Sequence, residues 1–298
     1  MVLNRHILGP FLALSMTLPG AVAGQGHGRS VAVSGEVRSD TAPERPQRVV
    51  SMNLCTDQLA MMLAAPGQLL SVGHLSTDPR GSAMADQAGN YTINHGMAEE
   101  IWLMQPDLVI TGSFSNRATV DMLRRLGVPV AVLEPAYGLS DIPDRIREVG
   151  VALGREEAAE EVVRDFETRL AALQDDVAHR PRAALYYANG YTSGDKTLAG
   201  EIIATAGFDN IATEAGFPMG GVMPLEVLAL SDPDAVISGK PYPGASRSEE
   251  ILDHPVVRAL REKSVGAVLT DRDWICGTPH VLRAVEEMRD VRRAMETE

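Results

Sequence analysis

Glu99-Glu100-Ile101-Trp102-Leu103-Met104-Gln105-Pro106-Asp107-Leu108-Val109-Ile110 and Glu226-Val227-Leu228-Ala229-Leu230-Ser231-Asp232-Pro233-Asp234-Ala235-Val236-Ile237 are one phrase written twice. In each copy an apolar stretch with an early glutamate runs into Pro-Asp and then into a hydrophobic run. Proline cannot continue a helical hydrogen-bond ladder, so each copy predicts a short helix that stops there. The strand that follows is apolar enough to be buried on both faces. Two such copies predict two similar α/β lobes with a cleft between them.

Outward from these copies, residues 48–52, 68–73, 107–112 and 128–134 are expected to be the first four strands, separated by helical patterns. That alternation gives βαβ units and a parallel sheet. A second set of strands is expected at 182–189, 234–239 and 266–271, with helices over 196–206, 247–261 and 278–295. Between the sets, Ser140 is placed to cap a helix running to about Leu153. A long helix is then expected over 156–178, where Ala159, Val163, Phe166, Leu170, Leu173 and Val177 keep one apolar stripe. At about 1.5 Å per residue it extends over more than roughly 30 Å, enough to cross from one lobe to the other.

The N-terminus has a basic start (Arg5, His6), an apolar run from Ile7 to Leu18, and Ala21-Val22-Ala23. These features predict a signal peptide over 1–23, cleaved after Ala23, and export to the periplasm. A mobile leader is then expected over 24–43, an N-terminal α/β lobe over 44–139, an inter-lobe helical linker over 140–180 and a C-terminal α/β lobe over 181–298. No segment reaches the roughly 20 apolar residues of a membrane span, so no stable membrane insertion is expected. A soluble mature monomer is the expectation. The net charge of −13, with arginines scattered among more numerous carboxylates, excludes nucleic acid as a partner.

In parallel α/β sheets ligands bind beyond the carboxyl ends of the strands. Aromatic residues are scarce in this chain, yet Phe114, Tyr137, Tyr191, Tyr242 and Trp274 each fall just past an expected strand. There an amphipathic ring can face a flat or macrocyclic ligand. Arg80, Arg117 and Arg272 occupy the same loops, and guanidinium forks suit an anionic or chelate-like ligand. Cys55 and Cys276 also fall on such loops, one in each lobe. In an oxidising compartment two cysteines commonly pair. Free thiols lining the pocket are nevertheless the favoured expectation, because a bond across the cleft would obstruct a bulky ligand.

Catalytic signatures are missing. There is no paired-His metalloprotease helix, Cys-x-x-Cys, phosphate-cradling loop or nucleophile elbow. A Cys55 nucleophile would need a His base and an orienting acid, which spacing does not assemble. His74 and His95 are read as ordinary hydrogen-bonding residues. No enzyme is expected.

Arg48-Val49-Val50-Ser51-Met52, the doubled phrase, Leu126-Gly127-Val128-Pro129-Val130 and Tyr191-Thr192-Ser193-Gly194 resemble the periplasmic substrate-binding proteins of ABC importers for iron-siderophore complexes, haem and cobalamin. The resemblance covers nearly all of the mature chain. It implies a class III periplasmic binding protein: two Rossmann-like lobes with parallel sheets, joined by a single long connecting helix and closing little on binding. It also implies no resident cofactor, since metal enters only as part of the bound chelate. The partner it implies is an ABC permease with a cytoplasmic ATPase, docked through a glutamate on each lobe, and Glu99 and Glu226 stand at the matching positions. The segment Trp274-Ile275-Cys276-Gly277-Thr278-Pro279 resembles the family's last cleft loop, whereas Cys55 departs from the small residue expected in the first. A ferric siderophore is the expected ligand, with cobalamin as the alternative and haem, which needs an axial Tyr or His, third. A sensor input module and a secreted thiol enzyme built on Cys55 are the readings from other classes.

Overall fold

The computed structural model describes residues 45–241, 243–244 and 246–297. The expected signal peptide, the leader and Tyr242 lie outside these residues.

The first lobe runs β1 (Val49–Ser51), α1 (Leu54–Leu63), β2 (Leu69–Gly73), α2 (Ala85–Ala88), β3 (Thr92–Asn94), α3 (Ala98–Leu103), β4 (Leu108–Gly112), α4 (Arg117–Arg125) and β5 (Val130–Leu133). Its strands form one parallel sheet in the order β3-β2-β1-β4-β5. Two helices follow, α5 (Ile142–Leu153) and α6 (Glu156–Leu173). The second lobe runs β6 (Arg182–Leu185), β7 (Tyr191–Thr192), α7 (Leu198–Thr205), β8 (Asp209–Asn210), α8 (Ile211–Glu214), β9 (Gly221–Val222), α9 (Leu225–Ser231), β10 (Ala235–Ser238), α10 (Pro255–Lys263), β11 (Val265–Val268) and α11 (Val281–Met295). Its parallel sheet has the order β11-β10-β6-β8, and β7 and β9 make a small antiparallel ribbon.

The doubled phrase is locked to its sheet by the same hydrogen bonds in both lobes. The Arg48 backbone amide donates to the Asp107 carboxylate at 2.9 Å, and the Arg182 amide donates to that of Asp234 at 2.8 Å. The same two arginines cap the preceding helices: the Arg48 guanidinium donates to the Met104 carbonyl at 2.6 Å and that of Arg182 to the Ser231 carbonyl at 2.7 Å. These acceptors are carbonyls that a helix end leaves without an internal partner. Gln105 and Asp232, at equivalent places before the proline, both turn through the left-handed region (φ 51° and 44°). The copies thus match in hydrogen bonding as well as in sequence.

One hydrophobic cluster runs from Val49, Leu69 and Leu108 through Ile142, Ile146, Val163 and Phe166 to Leu185, Ile237, Val285 and Met288. The two sheets therefore share a core through α5 and α6. A close-packed interior of this kind resists sliding of one lobe on the other.

Several local expectations shift. Three residues, Thr92-Ile93-Asn94, make the edge strand β3, too short for a periodicity to announce it. Ser140 does not cap α5; Asp141 occupies the cap position, and its carboxylate accepts from the Tyr137 and Gly138 amides instead. Gly154 breaks α5 from α6 at φ 63°. The 18 residues of α6 span about 27 Å and end at Leu173 rather than near 178. The helix expected over 247–261 is interrupted at His254, where Pro255 restarts it as α10.

Candidate functional site

Buried polar side chains fix the bases of the first lobe's loops. Asn53 caps α1, its side-chain oxygen accepting from the Cys55 amide at 3.1 Å, which aims the first turn of α1 at the cleft. Asp57, fully buried, accepts from the Gly73 amide at 2.9 Å and the Ser76 hydroxyl at 2.6 Å, tying the exit of β2 to α1. Burial raises its pKa to about 6 against the opposing effect of these hydrogen bonds. Asn94 donates to the Ser51 carbonyl and the Ser71 hydroxyl, both at 2.8 Å, and so holds the exit of β3. On that rim the rings of His74 and His95 stack with centroids 5.3 Å apart, and His95 faces Glu100 at 3.3 Å.

In the second lobe Trp274 stacks on Tyr187, with centroids 5.5 Å apart and planes 14° from parallel. The Tyr187 hydroxyl and Trp274 Nε1 are buried without a hydrogen-bond partner among the described residues. Burial, followed by the charge of Asp271, drives the Tyr187 hydroxyl far above its ordinary value, so it stays protonated. Asp273 is buried behind the loop and held by Arg283 at 2.7 Å, with Arg272 at 3.5 Å. Burial and the nearby Arg283 charge pull His280 down to about 4.

Contacts across the lobes at these loops include a disulfide, a close backbone approach and an arginine bond. Cys55 and Cys276 form a disulfide with Cα atoms 5.1 Å apart. Gly277 lies so close to Ala136 that a Cβ built on it would be 2.2 Å from the alanine methyl. Arg80, from the loop past β2, donates to the carbonyl of Pro241 past β10 at 2.7 Å. Among the described residues, recesses lie beside these contacts. A cavity of about 140 Å³ is walled by Cys55, Phe114, Glu134, Arg145 and Ile275. One of about 310 Å³ is lined by Pro79, Arg80, Lys240, Thr270, Asp271 and Arg272. A larger hollow of about 500 Å³, around Arg45, Gln68 and Arg155, opens at the other ends of β1 and β2, away from these loops.

The expectation of free thiols is corrected by the disulfide. The shared core brings α1 and the last loop within the reach a disulfide needs. The obstruction argument fails because the bond lies beside the tight Gly277–Ala136 contact and walls the smaller recess, leaving the Arg80 recess clear. Bonded sulfur carries no thiolate, so Cys55 has no nucleophile for the thiol-enzyme reading.

Of the remaining expected site residues, Arg80 lines the larger recess and Phe114 the smaller. Trp274 is committed to Tyr187, Cys276 is buried, and Tyr137 and Tyr191 are about half exposed and line neither recess. Arg117 is exposed at the start of α4, away from both recesses. Glu99 and Glu226 are exposed in the first turns of α3 and α9. Sequence reasoning passed over Lys240, Glu134 and Arg145 as site residues; Lys240 stood in a loop already singled out, whereas Arg145 looked like any solvated helix arginine.

The profile of the periplasmic binding protein family matches residues 49–267. A vitamin B12-binding protein of Pectobacterium atrosepticum is 27% identical over 255 residues, covering 82% of this chain and 87% of that protein. In fold, the chain is similar to the periplasmic heme-binding protein of Roseiflexus sp. RS-1, at a TM-score of 0.67 and 22% identity over 82% of this chain and 98% of that one. It is also similar to the periplasmic vitamin B12-binding protein of Vibrio cholerae, at a TM-score of 0.63 and 19% identity over 86% and 100% of the two chains. Two parallel α/β lobes meeting at a loop-lined cleft and a family profile spanning both lead to one conclusion: the chain belongs to the periplasmic binding protein family.

Proposed function

We propose that this chain is the exported solute-binding component of an ABC importer. It captures an anionic metal chelate, a ferric siderophore first, in the inter-lobe cleft and delivers it to the permease. The observation that carries this reading is the recess of about 310 Å³ where Arg80, Lys240 and Arg272 converge from loops of both lobes, with Asp271 as the opposing carboxylate. In a chain of net charge −13, a cationic group at the cleft runs against the general surface. Guanidinium forks there suit the carboxylate, catecholate or hydroxamate oxygens of an iron chelate.

Cobalamin is the second reading. It is favoured by relatives whose names are vitamin B12-binding proteins, and by the exposed rings of Phe114, Tyr137 and Tyr191 around the cleft loops, which suit a corrin face. Glu99 and Glu226 are the proposed anchors on the permease. Two exposed carboxylates set orientation and speed encounter more than they add affinity.

The test is intrinsic tryptophan fluorescence of the mature protein, titrated with ferric siderophores, cobalamin and haem. Saturable quenching by ferric chelates, weakening as salt rises, is expected. Quenching by cobalamin alone would move the assignment to the second reading, and silence across the panel in both fluorescence and calorimetry would sink the chelate binder.

A further inference from the structure

The recess of about 140 Å³ beside the disulfide shares no lining residue with the charged recess of about 310 Å³. It lies between α1, the exits of β4 and β5, α5 and the last loop. Leu59, Phe114, Leu133 and Ala136 wall it from the first lobe and Ile275 from the second, so most of its lining is apolar. An apolar cavity of roughly 150 Å³ takes up benzene, so the volume suits one aromatic ring. Phe114, 80% exposed, and Ile275, 50% exposed, offer an entering ring an aromatic face and an aliphatic side chain.

Two charged side chains interrupt this lining. Arg145, on α5, donates through a terminal nitrogen to Glu148 at 2.9 Å, while its Nε is buried without a partner among the described residues. Glu134, just past β5, accepts from the Ser113 hydroxyl at 2.8 Å through one carboxylate oxygen. Among the described residues the two are not paired with each other. A buried guanidinium N–H left without an acceptor costs free energy, and the second oxygen of Glu134 is a further acceptor. A hydroxyl on an aromatic ring answers both, since one oxygen accepts and donates. Benzene would leave the Arg145 nitrogen unpaired, and benzoate would bring a second negative charge beside Glu134.

We propose that this recess is a small-molecule site, separate from the chelate site, that takes one hydroxylated aromatic ring. The ring lies among Leu59, Leu133 and Phe114, and its hydroxyl accepts from Arg145 Nε and donates to Glu134. Because walls come from both lobes, the bound ring ties the last loop to the first lobe and stabilises that junction. The assignment stands whether or not the charged recess takes an iron chelate.

The test is a fluorine NMR titration of the mature chain with para-fluorophenol, with fluorobenzene and para-fluorobenzoate as comparison rings. Saturable binding of para-fluorophenol is expected, with both comparison rings held more weakly. Arg145→Met keeps the apolar length and removes the donor; it should weaken para-fluorophenol by about tenfold, the loss of one hydrogen bond to a charged group. Glu134→Gln should bring para-fluorobenzoate up towards para-fluorophenol, a gain that a merely misfolded variant would not show. Ile275→Trp, at a half-exposed position, should fill the mouth and abolish binding of all three rings. Fluorobenzene bound as tightly as para-fluorophenol, or Arg145→Met without effect, would overturn the hydroxyl assignment. Binding retained by Ile275→Trp would place the ring elsewhere, and no saturable binding of any ring would remove the site altogether. Tryptophan fluorescence of the native protein with ferric siderophores and cobalamin reads the chelate site separately, so either assignment can fail alone.

Discussion

Cys55, in the first turn of α1, is bonded to Cys276, in the loop past β11, across the meeting point of the two lobes and over a sequence separation of 221 residues. Closing a loop of that length removes conformational freedom chiefly from the unfolded chain. On the chain-entropy account the bond stabilises by about 5 kcal/mol as an upper figure. Cys55→Ser with Cys276→Ser should lower Tm by many degrees in calorimetry, and a dithiol reductant should reproduce the drop in the native protein. A Tm indifferent to reductant would mean that the pair is not bonded in solution.

Asp57 gives the fold a pH dependence of unusual sign. Its folded pKa, about 6, lies above the ordinary carboxylate value because the side chain is buried. The folded state therefore holds this proton more tightly than the unfolded chain does. The contribution is complete below about pH 4, declines between about pH 4 and 6, and is lost above, so stability falls as pH rises through that window. Asp57→Asn can still accept from Gly73 and Ser76 through its carbonyl oxygen. Denaturant melts of this variant should lose the decline between about pH 4 and 6, and an unchanged pH profile would locate the titration elsewhere.

Gly277 permits the closest approach of the last loop to the exit of β5, since a Cβ there would lie 2.2 Å from that of Ala136. Gly277→Ala should cost about 1–3 kcal/mol by overpacking. Adding Ala136→Gly should recover most of that loss, because it removes the atom that collides. Equal loss in the single and double variants would show that the glycine matters for its backbone and not for the contact.

Lys240 and Arg272 line the larger recess with Arg80, whose guanidinium also bonds the backbone of the opposite lobe. Lys240→Gln with Arg272→Gln leaves that latch in place and removes two charges. Calorimetry at low and high salt should give affinity for a ferric siderophore reduced by about tenfold, with a shallower salt dependence, and cobalamin binding little changed. Equal loss for both ligands would point to a shape defect and not a charge effect.

The sequence by itself determined the two-lobed α/β plan, because its signals are local. Hydrophobic runs such as 108–110 and 235–237 and the prolines at 106 and 233 act within a turn or two of themselves, and β4 and β10 formed within the stretches their residues announced, whereas the short strands β3, β8 and β9 were not announced. The glutamates of the doubled phrase were fixed in place by the same local rules. Only the tertiary structure decided the Cys55–Cys276 bond, the Gly277–Ala136 contact, the Tyr187–Trp274 stack and the grouping of Lys240 and Arg272 with Arg80. Most of these partners are separated by well over a hundred residues and meet only after α5 and α6 have drawn both sheets into one core. Arg48 and Arg182 were equally silent as sequence, because an arginine that will cap a helix end is written no differently from one that will be solvated.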